Sequence, residues 1–225
     1  MTARPIRIAV DGPGSAGKGT VARGVARALG YQYVDTGSMY RAVALVAQSR
    51  GVPWSDGDAV ARLAAALTFH FSWDGDVLRI EVDGVDITRA IRDDAVGLGA
   101  SAVSVHPQVR RTLVDLQRAL AQDGGVVMDG RDIGTVVLPD AELKVFLDAT
   151  LDERARRRHD ELVRRGEPAS YAQVRDALAR RDHQDRARAA SPLRPADDAL
   201  HVDTSELTIR QAIDAVLALA HSRGA

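Results

Sequence analysis

The segment Gly12-Pro13-Gly14-Ser15-Ala16-Gly17-Lys18-Gly19-Thr20 constrains this chain more than any other, because it fits G-x-x-x-x-G-K and stands between an apolar run and a helical repeat. Closely spaced glycines let a backbone turn tightly enough for several N–H groups to face one anion. The helix that follows would add its positive N-terminal end. In such a loop the lysine reaches the β- and γ-phosphates of a nucleotide, and a hydroxyl such as that of Thr20 lies near the metal and phosphates. Here Gly-Thr follows the lysine in place of the usual Ser or Thr directly after it. The lysine stands out against its background, since the chain has 28 Arg and two Lys, Lys18 and Lys144. A chain so biased to Arg that keeps Lys at this position implies a need for a point charge rather than a planar fork. Gly12, Gly14 and Gly17 also match the dinucleotide fingerprint G-x-G-x-x-G, with Asp35 in range as its acid, but that pattern leaves Lys18 unaccounted for.

The periodicity around the loop is that of a parallel α/β sheet. Ile6–Val10 reads as a buried strand, and Val21, Val25, Ala28 and Leu29 recur at helical spacing until Gly30. Tyr31–Val34 reads as a second strand and Tyr40–Ala47 as a second helix. Residues near 55–105 break the rhythm. Phe69–Trp73, Leu78–Val82 and Val85–Ile87 read as short strands, with turns at Asp74-Gly75-Asp76 and Asp83-Gly84, which predicts an antiparallel insertion. Leu78, Ile80 and Val82 alternate with Arg79 and Glu81, as on a sheet with one wet face. The parallel pattern then resumes. Val109, Leu113, Leu116 and Leu120 mark a helix, Gly125–Met128, Leu143–Leu147 and Ala199–Val202 read as strands, and Leu207–Ala220 as a closing helix with Ile209, Ile213, Val216, Leu217 and Leu219 apolar.

Composition narrows the function classes. With 225 residues the chain suits one sizeable core. It has no cysteine, which excludes disulfides and thiolate metal sites. A net charge of −1 argues against a nucleic-acid polymer as partner. No run approaches the roughly 20 apolar residues of a bilayer span. A cytoplasmic monomer, with no membrane partner, is the expectation.

Three further stretches should carry the acceptor chemistry. Asp35-Thr36-Gly37-Ser38-Met39-Tyr40-Arg41 follows the second strand, at the sheet edge where ligands collect in open α/β folds. Arg41 can grip a phosphate bidentately; alternatively, Thr36 or Ser38 caps a helix and Arg41 is a surface residue. Met128-Asp129-Gly130-Arg131-Asp132-Ile133-Gly134-Thr135 follows another buried strand. Asp129 can act through a Mg²⁺ shell, Arg131 can pair with an acceptor phosphate, and Asp132 can accept a hydrogen bond from a base; a structural turn closed by an Arg–Asp pair is the other reading. In Arg181-Asp182-His183-Gln184-Asp185-Arg186-Ala187-Arg188, Arg181, Asp185 and Arg188 fall at i, i+4 and i+7 on one helix face. They form either a salt-bridge ladder or a group holding a ribose and phosphates. The region 154–194 holds twelve Arg interleaved with acids, as solvated helices with i,i+4 pairs would, or as the movable cations that a phosphate site needs.

In order and spacing, the GKGT loop and the DTGSMYR, MDGRDIGTVV and RDHQDRARAASPL stretches resemble the bacterial cytidylate kinases, over nearly the whole chain. The resemblance implies an α/β P-loop NTPase fold of three layers: a central parallel sheet, an antiparallel β-rich insertion for the nucleoside monophosphate at about 55–105, and an Arg-rich helical lid at about 154–170, all within one kinase domain spanning 1–225. It implies transfer of the γ-phosphoryl group of ATP to CMP or dCMP, with Mg²⁺ accompanying ATP and no direct protein ligand assigned to the metal. Gly12 to Thr20 would bind ATP. Thr36, Arg41, Ser101, Arg110, Arg131, Asp132, Arg181, Asp185 and Arg188 would bind CMP, with Ser101, Arg110 and Asp132 at the positions that recognise cytosine. Lys18, Arg131 and Asp129 would carry catalysis, and Arg154, Arg157 and Arg158 would belong to the lid. The loop departs from a familiar family version in reading Gly14-Ser15 rather than Ser-Gly, a swap of small residues expected to leave the anion cradle intact. Another P-loop kinase, acting on UMP, a deoxynucleotide or a small hydroxyl substrate such as a sugar acid with Asp35 as base, and a nucleotide-dependent switch or regulatory ATPase are the rival readings.

Overall fold

A computed structural model describes residues 5–74, 77–167, 169–188 and 190–225. Gly75 and Asp76 of the expected Asp74-Gly75-Asp76 turn, Pro168 of the lid stretch and Ala189 of the RDHQDRARAASPL stretch lie outside the described residues. In chain order the elements are β1 (Arg7–Asp11), α1 (Lys18–Leu29), β2 (Gln32–Asp35), α2 (Thr36–Ser49), α3 (Gly57–Ala65), β3 (Phe69–Asp74), β4 (Val77–Val82), β5 (Val85–Asp86), α4 (Asp94–Val103), α5 (Pro107–Leu120), β6 (Val126–Gly130), β7 (Leu143–Asp148), α6 (Leu151–Arg164), α7 (Tyr171–Ala187), β8 (Leu200–Asp203) and α8 (Ile209–Ser222). They fall into two compact units, one formed by residues 1–33 and 121–225 and the other by 34–120.

The first unit is organised by β1, whose Ile8, Ala9 and Val10 have no solvent exposure. A strand buried on both faces needs parallel neighbours covered by helices. β1 pairs in parallel with β6 and β7, and β7 with β8, in the sheet order β2-β6-β1-β7-β8. The register places Asp11 opposite both Gly130 and Phe146, so the strand ends from which the glycine loop and the Arg131-Asp132 segment emerge are level. α1 turns Val21, Ala22, Val25 and Ala26 inward. Ala28, expected on that face, is exposed in the last turn of the helix. α8 begins with a reciprocal cap between Thr208 and Gln211 and buries Ala212, Val216 and Ala220. Ile209, expected on its apolar face, is 63% exposed at the first turn. α6 and α7 enclose a small core of Ala155, Leu162, Val174 and Leu178.

The second unit bears the antiparallel β3-β4-β5 sheet that the alternation at 78–82 announces. Leu78, Ile80 and Val82 are buried, while Arg79 is exposed. Asp83 and Gly84 both take positive φ, 51° and 78°, which closes the β4–β5 hairpin. The same stretch of chain also forms α3 and α4, of nine and ten residues, against strands of six, six and two. The insertion thus carries two helices besides its antiparallel sheet. Alternation marks strands locally, whereas α4 (DAVGLGASAV) carries two glycines and a weak apolar period that hide a helix. Asp56 and Asp93 cap these helices by accepting from Ala59 N–H and Ala95 N–H.

The glycines of α4 have unequal surroundings. A Cβ at Gly99 would lie 2.5 Å from Cζ2 of Trp54, whose indole N–H is fixed to the Ala44 carbonyl at 2.9 Å. At Gly97 the nearest atom would be 3.8 Å away. Gly99→Ala should lower unfolding free energy by about 1–3 kcal/mol through overpacking against a rigid ring. Gly97→Ala should gain up to about 1 kcal/mol from helix propensity. Urea denaturation followed by Trp fluorescence distinguishes the two.

Candidate active site

The loop from Gly12 to Gly17 joins the carboxyl end of β1 to the start of α1. Gly12 has φ +147°, and a Cβ there would fall 1.9 Å from the Leu147 carbonyl oxygen of β7, so no side chain fits between loop and sheet. Ser15 takes φ +60°, a left-handed geometry uncommon outside glycine. The Gly14-Ser15 order thus places the side chain at the strained position of the pair. Three loop carbonyls are held by side-chain donors. Lys18 Nζ donates to Pro13 O at 2.8 Å, Arg154 to Gly14 O at 3.2 Å, and Arg157 and Thr204 to Ala16 O at 3.4 and 3.2 Å.

Lys18, the first residue of α1, is buried, and that burial pushes its pKa down to about 7. Arg131 and Arg181 push in the same direction, and Asp129 and Asp11 oppose them. Asp129, in β6, accepts a 2.8 Å hydrogen bond from the Tyr33 hydroxyl. Asp11 accepts from Ile133 N–H and Gly134 N–H, at 2.8 and 2.7 Å, one on each carboxylate oxygen. Burial still raises its carboxyl to about 6 against those two bonds. Two arginines and two carboxylates thus act together on this buried lysine.

Arg131 and Asp185 form a partly buried pair at 2.9 Å, and Arg188 approaches the same carboxylate at 3.9 Å. Burial of Asp185 resists its ionisation, but Arg131 first, then Arg188 and Arg181, outweigh it and hold the carboxyl below the usual range. The expectation of one continuous helix face for Arg181, Asp185 and Arg188 needs correction. α7 ends at Ala187, and Arg188 is extended at φ −58°, ψ 133°. Leu193 N–H takes the Asp185 carbonyl at 2.8 Å, so the chain turns back instead of adding another turn. The expected lid arginines divide by environment. Arg154 is buried and pairs with Asp182 at 2.6 Å, Arg157 binds Glu153 and Thr204, and Arg158 pairs with Glu161 at 3.0 Å. Surface i,i+3 and i,i+4 pairs on α6 join Arg156 to Glu153 and Asp160, and Arg165 to Glu161.

Within the second unit, the cap of α2 is Asp35, which accepts from Ser38 N–H at 3.0 Å, rather than Thr36 or Ser38. Thr36 is the buried first residue of that helix. Arg41 donates to the Ile91 carbonyl at 3.0 Å, and Ser101 to Gly97 O at 3.4 Å. The backbone of Gly97 brings these two residues near each other, because a Cβ there would touch the Arg41 guanidinium. Arg110 is buried, its guanidinium 5.5 Å from the centre of the Tyr40 ring. Sequence reasoning missed Tyr33, Tyr40, Asp11, Asp182 and Thr204. Tyr40 and Asp182 stand inside the quoted motifs, where a partner beside each named Arg was a usable signal. The Tyr33–Asp129 and Thr204–Ala16 contacts join residues 96 and 188 positions apart and leave no local trace.

A parallel sheet with this loop at its carboxyl edge and a buried lysine leading the next helix defines a P-loop nucleotide-binding fold. A solved structure of an uncharacterized protein from Eubacterium ventriosum ATCC 27560 has the same fold, with TM-score 0.54 at 11% identity, covering 96% of this chain and 99% of that one. The sequence model of the cytidylate kinase family matches residues 8–222. The curated cytidylate kinases of Pelotomaculum thermopropionicum and Chromobacterium violaceum are each 49% identical, over 94% and 93% of this chain and the same shares of their own lengths. The chain belongs to the cytidylate kinase family. Among the described residues no helix is long and apolar enough to cross a membrane.

With a pKa near 7, Lys18 is mostly neutral at pH 8 when no anion faces it. ADP, already ionised at that pH, should restore its charge and take up about one proton per site. Calorimetric titration in buffers of different ionisation enthalpy measures this uptake, and Lys18→Arg, which stays charged, should abolish it.

Proposed function

We propose that this chain is an ATP-dependent CMP and dCMP kinase, giving CDP or dCDP and ADP. The observation that carries the reading is the emergence of the glycine loop, with its buried Lys18, and of the Arg131-Asp132 segment from level ends of β1 and β6. Cations for a donor polyphosphate and for an acceptor phosphate are thereby grouped around one loop. Family membership supports cytidylate as the acceptor.

In this reading the loop Gly12–Thr20 holds the phosphates of ATP, and Lys18 moves from the Pro13 carbonyl to the β- and γ-oxygens. Arg41 and Arg131 hold the acceptor phosphate, with Arg181 and Arg188 beside it and Asp185 keeping Arg131 oriented. Asp132 accepts from the amine of cytosine, and Ser101 and Arg110 donate to its acceptor atoms. The Thr20 hydroxyl and the Asp129 carboxylate are hard oxygen donors, a set that fits Mg²⁺ bound chiefly through phosphate oxygens and water. Mg²⁺ would supply neutralisation of charge on the transferred phosphoryl group. No strong general base is required, because the attacking phosphate oxygen has its second pKa near 6 and is already largely ionised at pH 7. Arg154, Arg157 and Arg158 set the base of a lid on α6 whose closure keeps water from the γ-phosphoryl group.

Uracil presents a carbonyl where cytosine presents the amine, so it would face Asp132 with a lone pair. ADP formation should therefore be fast with CMP and dCMP, about ten- to a hundredfold lower in kcat/KM with UMP, and near background with AMP, shikimate or no acceptor. Lys18→Ala should remove nearly all turnover while the fold persists by circular dichroism. Equal turnover without acceptor would overturn the kinase reading, and preference for another acceptor would overturn cytidylate.

A further inference from the structure

None of the roles above uses the side chain of Asp11. It is buried, and it ends β1 immediately before the glycine loop. Its backbone stands in register with Gly130, the last residue of β6. Its carboxylate accepts the N–H groups of Ile133 and Gly134, the first two residues of a π-helical turn over Ile133–Val137. Helical turns begin with N–H groups that have no partner inside the turn, and a buried turn needs one from outside. Here a residue 122 positions away supplies both. Between the two fixed ends lie Arg131 and Asp132. Asp132, at φ −146° and ψ 25°, belongs to neither strand nor helix, and its carbonyl is taken by Val136 N–H and Val137 N–H. The far end packs closely, since a Cβ on Gly134 would lie 3.2 Å from Lys144 Cδ and 3.4 Å from Asp11 Oδ2.

We propose that Asp11 is a positioning residue for acceptor recognition, fixing the direction of Arg131 and Asp132 by holding the segment that carries them at both its ends. The proposal rests on the reading of Arg131 and Asp132 as acceptor-binding groups. It makes Asp11 a determinant of base discrimination even though its side chain touches no substrate. The same residue leads into the glycine loop, so donor loop and acceptor segment share one anchor.

Steady-state kinetics at saturating ATP, with CMP and with UMP, test this on the full chain as wild type, Asp11→Asn and Asp11→Glu. Asparagine keeps the shape but offers one oxygen to two donors, and glutamate keeps the charge but displaces both oxygens. Each should raise KM for CMP about tenfold and reduce the CMP-over-UMP ratio of kcat/KM about tenfold, because the amine of cytosine loses its aligned acceptor. In Asp11→Glu the KM for ATP should stay within about threefold of wild type, since charge beside Lys18 is retained. Loss of folded protein alone would lower kcat for both acceptors alike and leave their ratio unchanged. An unchanged ratio and CMP KM, in whichever variant folds, overturns the proposal. A wild type that forms ADP no faster with CMP than without it overturns the acceptor reading, and this proposal with it, before any variant is compared.

Discussion

A phosphate cradle made from backbone can work only if its carbonyls are turned away from the anion, and this requirement governs the first unit. Pro13, Gly14 and Ala16 each have a carbonyl engaged by a side-chain donor: Lys18, Arg154, and Arg157 with Thr204. Those donors come from α1, α6 and the end of β8, so three separate elements must be in place before the loop has its shape. Gly12 adds a steric condition, because its α-carbon lies against a carbonyl of β7. The parallel sheet supplies this precision, as β1 and β6 end at one level and β7 runs two residues further, to Asp148.

Electrostatics then follow from burial. Lys18 and Asp11 lie in an interior that penalises both charges, and their pKa values move toward neutrality from opposite sides. Arg131, Arg181 and Arg188 around Asp185 form a denser cluster, in which cations outnumber the carboxylate. Arg154 differs in kind. Its buried pair with Asp182 joins α6 to α7 and to Gly14, which makes it part of the scaffold beneath the cradle.

Much of this was legible in advance, and the reasons are local. The glycine loop, the strands on either side of it and the alternation of Leu78, Ile80 and Val82 depend on neighbours in the chain. So does the hairpin at Asp83-Gly84, where turn residues meet a positive φ. Legibility stopped where the deciding contact was distant. Pro192 signals that a helix must stop nearby, but not that Leu193 N–H will take the Asp185 carbonyl and end α7 at Ala187. Nothing in the apolar period of 94–103 separates a glycine-bearing helix from the strands before it.

The sequence by itself determined the chemistry available to this protein. One lysine sits in a glycine loop, an Arg-Asp pair follows a buried strand, and arginines crowd the last third of the chain. These are matters of residue type and short spacing, which covalent connection preserves in any conformation. Only the tertiary structure decided which of those groups hold the fold and which face outward to a ligand. Arg154 and Asp182, Tyr33 and Asp129, and Asp11 with the turn at Ile133 become partners because the packing of α6 on α7 and the pairing of strands bring residues 28, 96 and 122 positions apart into hydrogen-bond distance. The free energy of those pairs comes from burial, and burial is a property of the packed chain rather than of any segment in it.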